Sequence, residues 1–115
     1  MKYMLLIYSN EGQWQDLAKS EIDQRMAAYL AYTEALTVAG ALVAGDRLQR
    51  ADMATTVRVA NGKTNVLNGP YAETREQLGG YYLIDVPDLD AALSWAARCP
   101  GASYGTIEVR PIWAM

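Results

Sequence analysis

The pattern of apolar and polar residues predicts a strand followed by a helix in the first part of this chain. Residues 2–8 are apolar on both faces, which is typical of a central strand. From Ser20 to Ala39 apolar residues recur at helical spacing, with Ser20 as predicted N-cap and Gly40 at the position of a left-handed C-cap. The stretch 13–19 either extends this helix or forms a separate turn. The predicted buried stripe comprises Ile22, Met26, Tyr29, Leu30, Thr33 and Leu36.

The middle of the chain predicts a strand and a hairpin. Residues 41–48 form the second strand, and Asn61-Gly62 lies between two β-branched runs, 55–60 and 63–67. Both central positions of a type I′ turn need positive φ, so Asn-Gly there is a strong hairpin signal. This turn pairs Ala60 with Lys63 and Val57 with Val66. It places four residues on the predicted core face: Val57, Val59, Thr64 and Val66.

The last third of the chain predicts a strand, a helix and a final strand. The strand spans residues 80–86, and Asp88 is the predicted N-cap of a helix that closes at Arg98. The inner face of this helix is expected to present Leu89, Leu93 and Ala96. The final strand spans residues 105–112.

This order of elements predicts one α+β domain over residues 1–115. Its simplest closure is a ferredoxin-like split βαβ with an extra β-hairpin, a mainly antiparallel sheet and two helices on one face. The opposite face is then open and too apolar for water. A symmetric partner is the expected cover, so the sequence predicts a homodimer.

Composition narrows the classes of function. Apolar residues make up 51% and charged residues 20% of the chain, and the formal charge is −3. No basic run suggests nucleic-acid binding, and no segment reaches the roughly 18 apolar residues of a membrane span. The apolar N-terminus is interpreted as a strand rather than a signal peptide, which makes the cytoplasm the expected location.

The residues that several kinds of chemistry require are absent from this sequence. Histidine is absent, so a zinc site or a Ser-His-Asp triad is excluded within one chain. No phosphate loop or dinucleotide fingerprint is present, and no cofactor or metal is expected. Cys99, the single cysteine, is interpreted as a small buried hydrophobe, with a nucleophile as the alternative.

A charged loop between the hairpin and the next strand, residues 68–81, supplies candidate site residues. Asn68, with the following Gly-Pro, either forms a tight turn or contacts a ligand. Tyr71 either lines a wet cleft or packs with its hydroxyl outward. The neighbouring charges form a solvated face on the simplest interpretation, and Glu73 is the one proposed to act as an acid–base group.

Two strands supply the other candidates. Glu108 and Arg110 share a face in the last strand and form either an ion pair that joins two chains or part of a ligand site. Asp46 is placed on a face with Leu42 and other apolar residues. It is either paired, with Arg47 or Arg110, or catalytic.

The chain resembles the YCII-related (DGPF-domain) family almost end to end. The resemblance is carried by five stretches: residues 1–8, 54–59, 68–86, 96–102 and 105–111. It implies a ferredoxin-like fold, a dimeric α+β barrel, a cleft between the sheets and a proposed enzymatic role. Some relatives are encoded beside, or fused to, extracytoplasmic-function sigma factors, which implies a sigma factor as an alternative partner.

This chain departs from the family pattern where acid–base chemistry is expected. The usual Asp is Asn68, the usual Phe is Tyr71, and Ser103-Tyr104 replaces a histidine that relatives often carry. An enzyme of this sequence would use a carboxylate or a tyrosine: Glu73 as titrating group, Glu108 as positioning partner and Arg110 for an anionic substrate group. Three classes remain, in order: a small-molecule-binding or enzyme-like dimer, a regulatory module that works with a sigma factor, and a non-catalytic scaffold.

Overall fold

The computed structural model describes residues 1–114 and shows a four-stranded sheet, a separate hairpin and three helices. The strands are β1 (Lys2–Ser9), β2 (Leu42–Arg47), β3 (Thr55–Ala60), β4 (Lys63–Asn68), β5 (Gln77–Asp85) and β6 (Thr106–Pro111). The helices are α1 (Glu11–Gln15), α2 (Lys19–Val38) and α3 (Leu89–Arg98), with 3₁₀ turns at Ala51–Met53 and Pro100–Ser103.

The sheet has the order β2-β5-β1-β6, and every neighbouring pair is antiparallel. Strands β1 and β2 are therefore parallel to each other with β5 between them, and β5 and β6 are parallel with β1 between them. This is the split βαβ arrangement, with the β3–β4 hairpin inserted between β2 and β5. The predicted α+β fold class is confirmed.

The core lies between the sheet and the two long helices. Alternate residues of the central strands point into it, and Leu5 and Ile84 are fully buried there. Leu36 of α2 and Ala92 of α3 meet them from the helix side. Tyr32 joins the layers, since its ring packs edge-on against Tyr82 at 5.3 Å and its hydroxyl donates to the Trp95 carbonyl oxygen at 2.6 Å.

Helix α2 has the predicted helical spacing, but the sequence interpretation assigned one residue of its buried face wrongly. Leu36 is buried as expected, but Leu30 is 73% exposed, and the buried residue that the sequence interpretation missed is Tyr32. Leu30 lies one residue, about 100°, beyond Tyr29 and so rotates away from the sheet. The predicted cap at Ser20 was wrong, because the helix starts at Lys19 and no side chain caps it.

The C-terminal end of α2 behaves as predicted. Gly40 has a φ of 70°, and the N–H of Ala41 donates to the Leu36 carbonyl oxygen at 3.0 Å. This is the hydrogen bond of a Schellman motif, which needs a left-handed residue. The uncertain stretch 13–19 does not extend α2 as a whole: residues 13–15 belong to a separate short helix, α1, which starts at Glu11 and is capped by the Asn10 side chain.

Helix α3 begins as predicted but packs on a different face. Asp88 caps it by accepting a hydrogen bond from the Ala91 N–H. Ala96 is buried, whereas Leu89 and Leu93 are 48% and 47% exposed, contrary to expectation. The inner face is formed by alanines, with Ala92 fully buried, because small side chains let the helix approach the sheet closely.

The β3–β4 hairpin confirms the predicted register, with Ala60 paired to Lys63 and Val57 to Val66. Asn61 and Gly62 both have positive φ, as a type I′ turn requires. The predicted core face was wrong, since Val57, Val59 and Val66 are each more than half exposed in the single chain. A two-residue turn fixes register locally and does not decide which face is covered.

The sheet face away from the helices is open in the single chain. Met4, Leu6 and Leu83 project from it and are only partly buried. Glu108 lies opposite Leu6 and Arg110 opposite Met4 in the β1–β6 pairing, so both share this open face, as expected. The homodimer stays a prediction.

A β-bulge shapes the end of the sheet beside α1. Ile7 pairs with Gly80 and Tyr8 with Leu78, so Gly79 is an extra residue in β5. A side chain at Gly80 would press against the Asp46 carbonyl oxygen at 2.8 Å, so glycine permits β2 to approach there.

Candidate functional site

A cavity of about 330 Å³ opens between α2 and the helix-facing side of the sheet. It lies at the bulged end of the sheet, where β1 gives way to α1, and its volume is near the lower limit for ligand sites. Met26, Tyr29 and Thr33 line it from α2, at the spacing that puts them on one helix face. Its other walls come from α1, the ends of β1, β2 and β5, and Tyr104.

One wall of the cavity is an aromatic and cationic cluster. The rings of Trp14 and Tyr104 meet edge-on at 5.9 Å. The Arg25 guanidinium lies 3.7 Å from the Tyr104 ring centre and 4.9 Å from that of Trp14. Arg47 lies 5.7 Å from the Trp14 ring centre and contacts the Met26 sulfur at 3.4 Å. These are cation–π distances, and neither arginine makes a salt bridge within residues 1–114.

The interior of the cavity carries tyrosine hydroxyls. Tyr82 and Thr33 share a hydrogen bond of 2.6 Å between their oxygens. The Cys99 thiol donates to the Tyr29 hydroxyl at 3.9 Å. The Tyr104 hydroxyl is buried beside the Tyr29 hydroxyl.

Burial sets the protonation state of these groups. Burial, with the nearby Cys99 and Tyr104, raises the pKa of Tyr29 far above its ordinary value. Burial also raises the pKa of Tyr104, although the Tyr29 hydroxyl and the Arg25 guanidinium act to lower it. The same desolvation raises the pKa of the Cys99 thiol. At neutral pH the tyrosines are therefore hydrogen-bond donors rather than bases, and Cys99 is a thiol.

Two carboxylates near this end of the sheet accept hydrogen bonds. Asp46, on the open sheet face, accepts one from the Tyr81 hydroxyl at 2.8 Å, which raises the pKa of that tyrosine. Within residues 1–114 neither Arg47 nor Arg110 forms the predicted ion pair with it. A register shift between Leu42 and Ala44 also separates Asp46 from the face of Leu42. Glu11 accepts from the Ala51 N–H at 2.9 Å.

The structure places some of the predicted site residues on one face of the sheet. Asp46 borders the cavity, but it lies opposite Tyr81, which lies opposite Leu6, so its side chain is on the open sheet face. Asn68 ends the hairpin, and Tyr71 is 79% exposed. Glu73 is exposed in the same loop, and its catalytic role stays a prediction. Glu108 and Arg110 are exposed on the open sheet face, the face that also carries the Asp46 side chain. Within residues 1–114 no group of three or more Cys, Asp or Glu side chains is placed to hold a metal ion.

The sequence interpretation missed Trp14, which lines the cavity, and Arg25, which lies over the Tyr104 ring. Arg47 was named only as a possible partner of Asp46. Tyr29 was assigned to the core stripe, and Tyr104 was noted for the histidine it replaces. Trp14 and Tyr104 are 90 positions apart along the chain, and no local pattern joins them. The available signal was a chain with eight tyrosines and no phenylalanine, because buried tyrosines need partners for their hydroxyls.

The buried tyrosines predict a loss of stability at high pH. The pKa of Tyr32 is raised above 10.0, chiefly by burial. Above about pH 10 the unfolded chain releases this proton while the folded chain keeps it, so the free energy of unfolding falls as pH rises. Below that pH both states are protonated and the effect vanishes. The slope from Tyr32 should reach at most about 1.4 kcal/mol per pH unit.

Urea unfolding between about pH 8 and pH 11 measures this slope. Tyr32→Phe should make the alkaline decline less steep, because one of the contributing hydroxyls is gone. Tyr71→Phe, at an exposed position, should leave the decline unchanged. Equal slopes for the native chain and Tyr32→Phe would contradict the assignment.

Fold and cavity together define a small ferredoxin-like domain with a ligand-sized space on its helix side. A family model for the YCII-related domain matches residues 1–115. An uncharacterised protein of Rhizobium meliloti (strain 1021) is 40% identical over 114 residues, covering 97% of this chain and 92% of that protein. The chain belongs to the YCII-related family, as the sequence resemblance predicted.

A solved structure shares the fold. It is the 5-chloro-2-hydroxyhydroquinone dehydrochlorinase TftG from Burkholderia phenoliruptrix AC1100, in complex with 2,5-dihydroxybenzoquinone. The TM-score is 0.56 at 18% sequence identity, and the alignment covers 98% of this chain and 94% of TftG. None of the helices described for this chain is both long and apolar enough to span a membrane.

Proposed function

We propose that this protein binds a small molecule in the cavity between α2 and the sheet. The sequence predicted a cleft on the other side of the sheet, between two chains. The helix side is favoured because it holds a partly enclosed space of about 330 Å³ with mainly apolar walls and a few polar groups. Residues predicted for the other cleft, such as Glu108, are exposed in the single chain.

The observation that carries the proposal is the space itself, about 330 Å³ between α2 and the sheet, with Met26, Tyr29 and Trp14 among its lining residues. Arg47, which makes no salt bridge within residues 1–114, lines the same space. A mainly apolar space with a few polar groups at its wall is the expected mark of a binding site.

The comparison with TftG supports a small ligand of this kind. TftG shares the fold of this chain and was solved with a six-membered quinone bound. A ring of that size is compatible with a cavity near the lower limit for ligands. 2,5-Dihydroxybenzoquinone is therefore one of the compounds with which to begin a search.

A thermal-shift screen of small metabolites and quinones on the purified chain tests the proposal. A compound that binds only the folded state at 100 times its Kd stabilises it by about 2.7 kcal/mol. Met26→Trp should abolish the shift, since Met26 lines the cavity. Leu30→Trp, on the outer face of the same helix, should retain it. Each shift is measured from the melting temperature of that variant alone.

Two results would contradict the cavity as the binding site. Hits whose shifts survive Met26→Trp would bind elsewhere, and Glu108→Gln would then test the cleft that the sequence predicted. A broad screen without any hit would remove the support for ligand binding and favour the scaffold interpretation.

We further propose a homodimer formed through the open sheet face. Leu6 and Leu83 leave apolar surface there, and the hairpin exposes Val57 and Val66. An interface of this class should bury upwards of about 1,200 Å². Light scattering should give twice the chain mass for the native protein and a monomer mass for Leu6→Glu. If the native protein were a monomer, this face would be available to bind another protein, such as the sigma factor that the family resemblance implied as an alternative partner.

A further inference from the structure

The β3–β4 hairpin is an arm that nothing covers in the single chain. From Thr55 to Asn68 every residue is exposed except Thr56, which is half-buried. Its two strands pair with each other and not with the four-stranded sheet. A two-stranded hairpin by itself is at most marginally stable in water, because it has no second layer against which to bury side chains. The arm therefore needs a surface to pack on.

The dimensions of the chain show that the arm projects from the body. The Cα radius of gyration is 16.1 Å. A compact domain of this length should have a radius of gyration of about 13 Å. The principal extents are 48 × 44 × 19 Å, so the chain forms a broad, thin layer. This is the shape of one half of a thicker assembly.

The arm has one apolar face and one polar face. Val57 and Val59 share a face with Val66, and they are 58%, 66% and 58% exposed. The opposite face carries Arg58 and Lys63. β-branched side chains pack well on the pleated surface of another sheet. The valine face is therefore the one that should dock, with the polar face left in water.

The arm leaves the body from a fixed base. The Gly69 N–H donates to the Ala54 carbonyl oxygen at 2.7 Å, and the Thr56 hydroxyl donates to the Gly69 carbonyl oxygen at 2.8 Å. On the side of the body, the Glu11 carboxylate accepts from the Ala51 N–H at 2.9 Å. An arm that is already ordered loses less conformational entropy on docking than a flexible one.

The open sheet face alone is small for a stable dimer. Four strands of about six residues each cover roughly 19 Å by 20 Å, or about 400 Å². Two such faces give about 800 Å² of flat area, against upwards of about 1,200 Å² for a stable interface. A two-stranded arm adds about 200 Å² and covers an equal area of its partner. Two arms would therefore bring the total to about 1,600 Å², the standard size of a specific interface.

Charge favours a second copy of this chain as the occupant. The arm carries Arg58 and Lys63 and no acidic residue, whereas the net charge of the chain is −3, so the remainder carries −5. Neither basic residue makes a salt bridge within residues 1–114. A positive arm is attracted to the acidic body of an identical chain.

We propose that the hairpin arm of each protomer packs its valine face on the partner, at the border of the partner's open sheet face. This inference rests on the proposed homodimer and adds the arm to its interface. The exchange is reciprocal, as two-fold symmetry requires, so each dimer buries two valine faces. Arg58 and Lys63 lie at the rim of the contact.

Val66→Asp and Leu67→Asp form a matched pair of variants. The two residues are adjacent, 58% and 61% exposed in the single chain, and on opposite faces of the arm. In sedimentation equilibrium, Val66→Asp should weaken dimerisation at least roughly a hundredfold, because each dimer would bury two carboxylates. Leu67→Asp should stay within about threefold of the native dissociation constant, as expected for an exposed position. Circular dichroism checks that both variants are folded.

Hydrogen exchange gives a second readout that leaves the arm unchanged. The amides of residues 55–68 should exchange at least roughly tenfold faster in Leu6→Glu than in the native chain, because loss of the dimer uncovers the arm. Helix α3, on the other side of the sheet, is the internal reference.

The outcomes separate the arm from the dimer itself. Equal dimer affinity for Val66→Asp and Leu67→Asp, or equal exchange of the arm in the native chain and Leu6→Glu, would refute the arm and leave the proposed sheet-to-sheet dimer intact. A native monomer would refute both. If Val66→Asp were monomeric while Leu6→Glu stayed dimeric, the arm would dock away from the open sheet face, and the proposal would be wrong.

Discussion

Leu36→Ala is expected to lower the free energy of unfolding by roughly 2–5 kcal/mol. Leu36 is fully buried where α2 meets the sheet, and it belongs to the same cluster as Leu5 and Ile84. Deleting three carbon atoms removes their transfer free energy and leaves a cavity that the rigid sheet cannot close. Urea unfolding at constant m-value measures the change.

Leu30→Ala is the matched control, with the same substitution on the same helix. Leu30 is 73% exposed, so its replacement should change stability by no more than about 0.5 kcal/mol. A large effect at Leu30 would mean that the outer face of α2 is covered in solution. A small effect at Leu36 would contradict the packing of α2 described above.

Gly105→Ala is expected to destabilise the fold by about 1–3 kcal/mol or more. A side chain at Gly105 would overlap the carbonyl oxygen of Tyr8 and press on that of Gly101 at 3.2 Å. These are backbone atoms, so no rotamer change can relieve the overlap. The start of β6 would have to move away from β1, which would also displace Tyr104 from the cavity.

Gly79→Ala provides the comparison within the same sheet. The nearest atom to an added Cβ there is the Ile7 carbonyl oxygen at 3.9 Å, an ordinary contact. Its effect should be small, and the reduced freedom of the unfolded chain could even raise stability. If the two variants unfold at the same urea concentration, close packing at Gly105 is not what requires glycine.

Local signals in the sequence predicted most of the architecture. The Asn61-Gly62 turn fixed the hairpin register, Gly40 ended α2, and Asp88 began α3, because each depends on the backbone of a few adjacent residues. The wrong predictions concern which face of a helix or hairpin is buried. Leu93 was expected inside and Ala92 lies there instead, since the distance between helix and sheet decides which side chains fit.

The candidate site was less predictable for the same reason. The loop with Glu73 attracted attention because it is charged and lies between strands, but Glu73 is exposed and does not line the cavity. The cavity wall instead includes Arg47 and Tyr104, at the end of one strand and after a 3₁₀ turn. Their proximity depends on the β-bulge at Gly79 and on the path of α1, which no short pattern encodes.

Gly105 also bears on how this lineage would change over generations. A side chain there would overlap backbone atoms of β1, so selection for stability alone keeps glycine at this position, whatever the cavity does. Met26 and Arg47 line the cavity without such a constraint, since neither is fully buried. In a lineage that no longer used the cavity, these two positions would vary first, while Gly105 would persist.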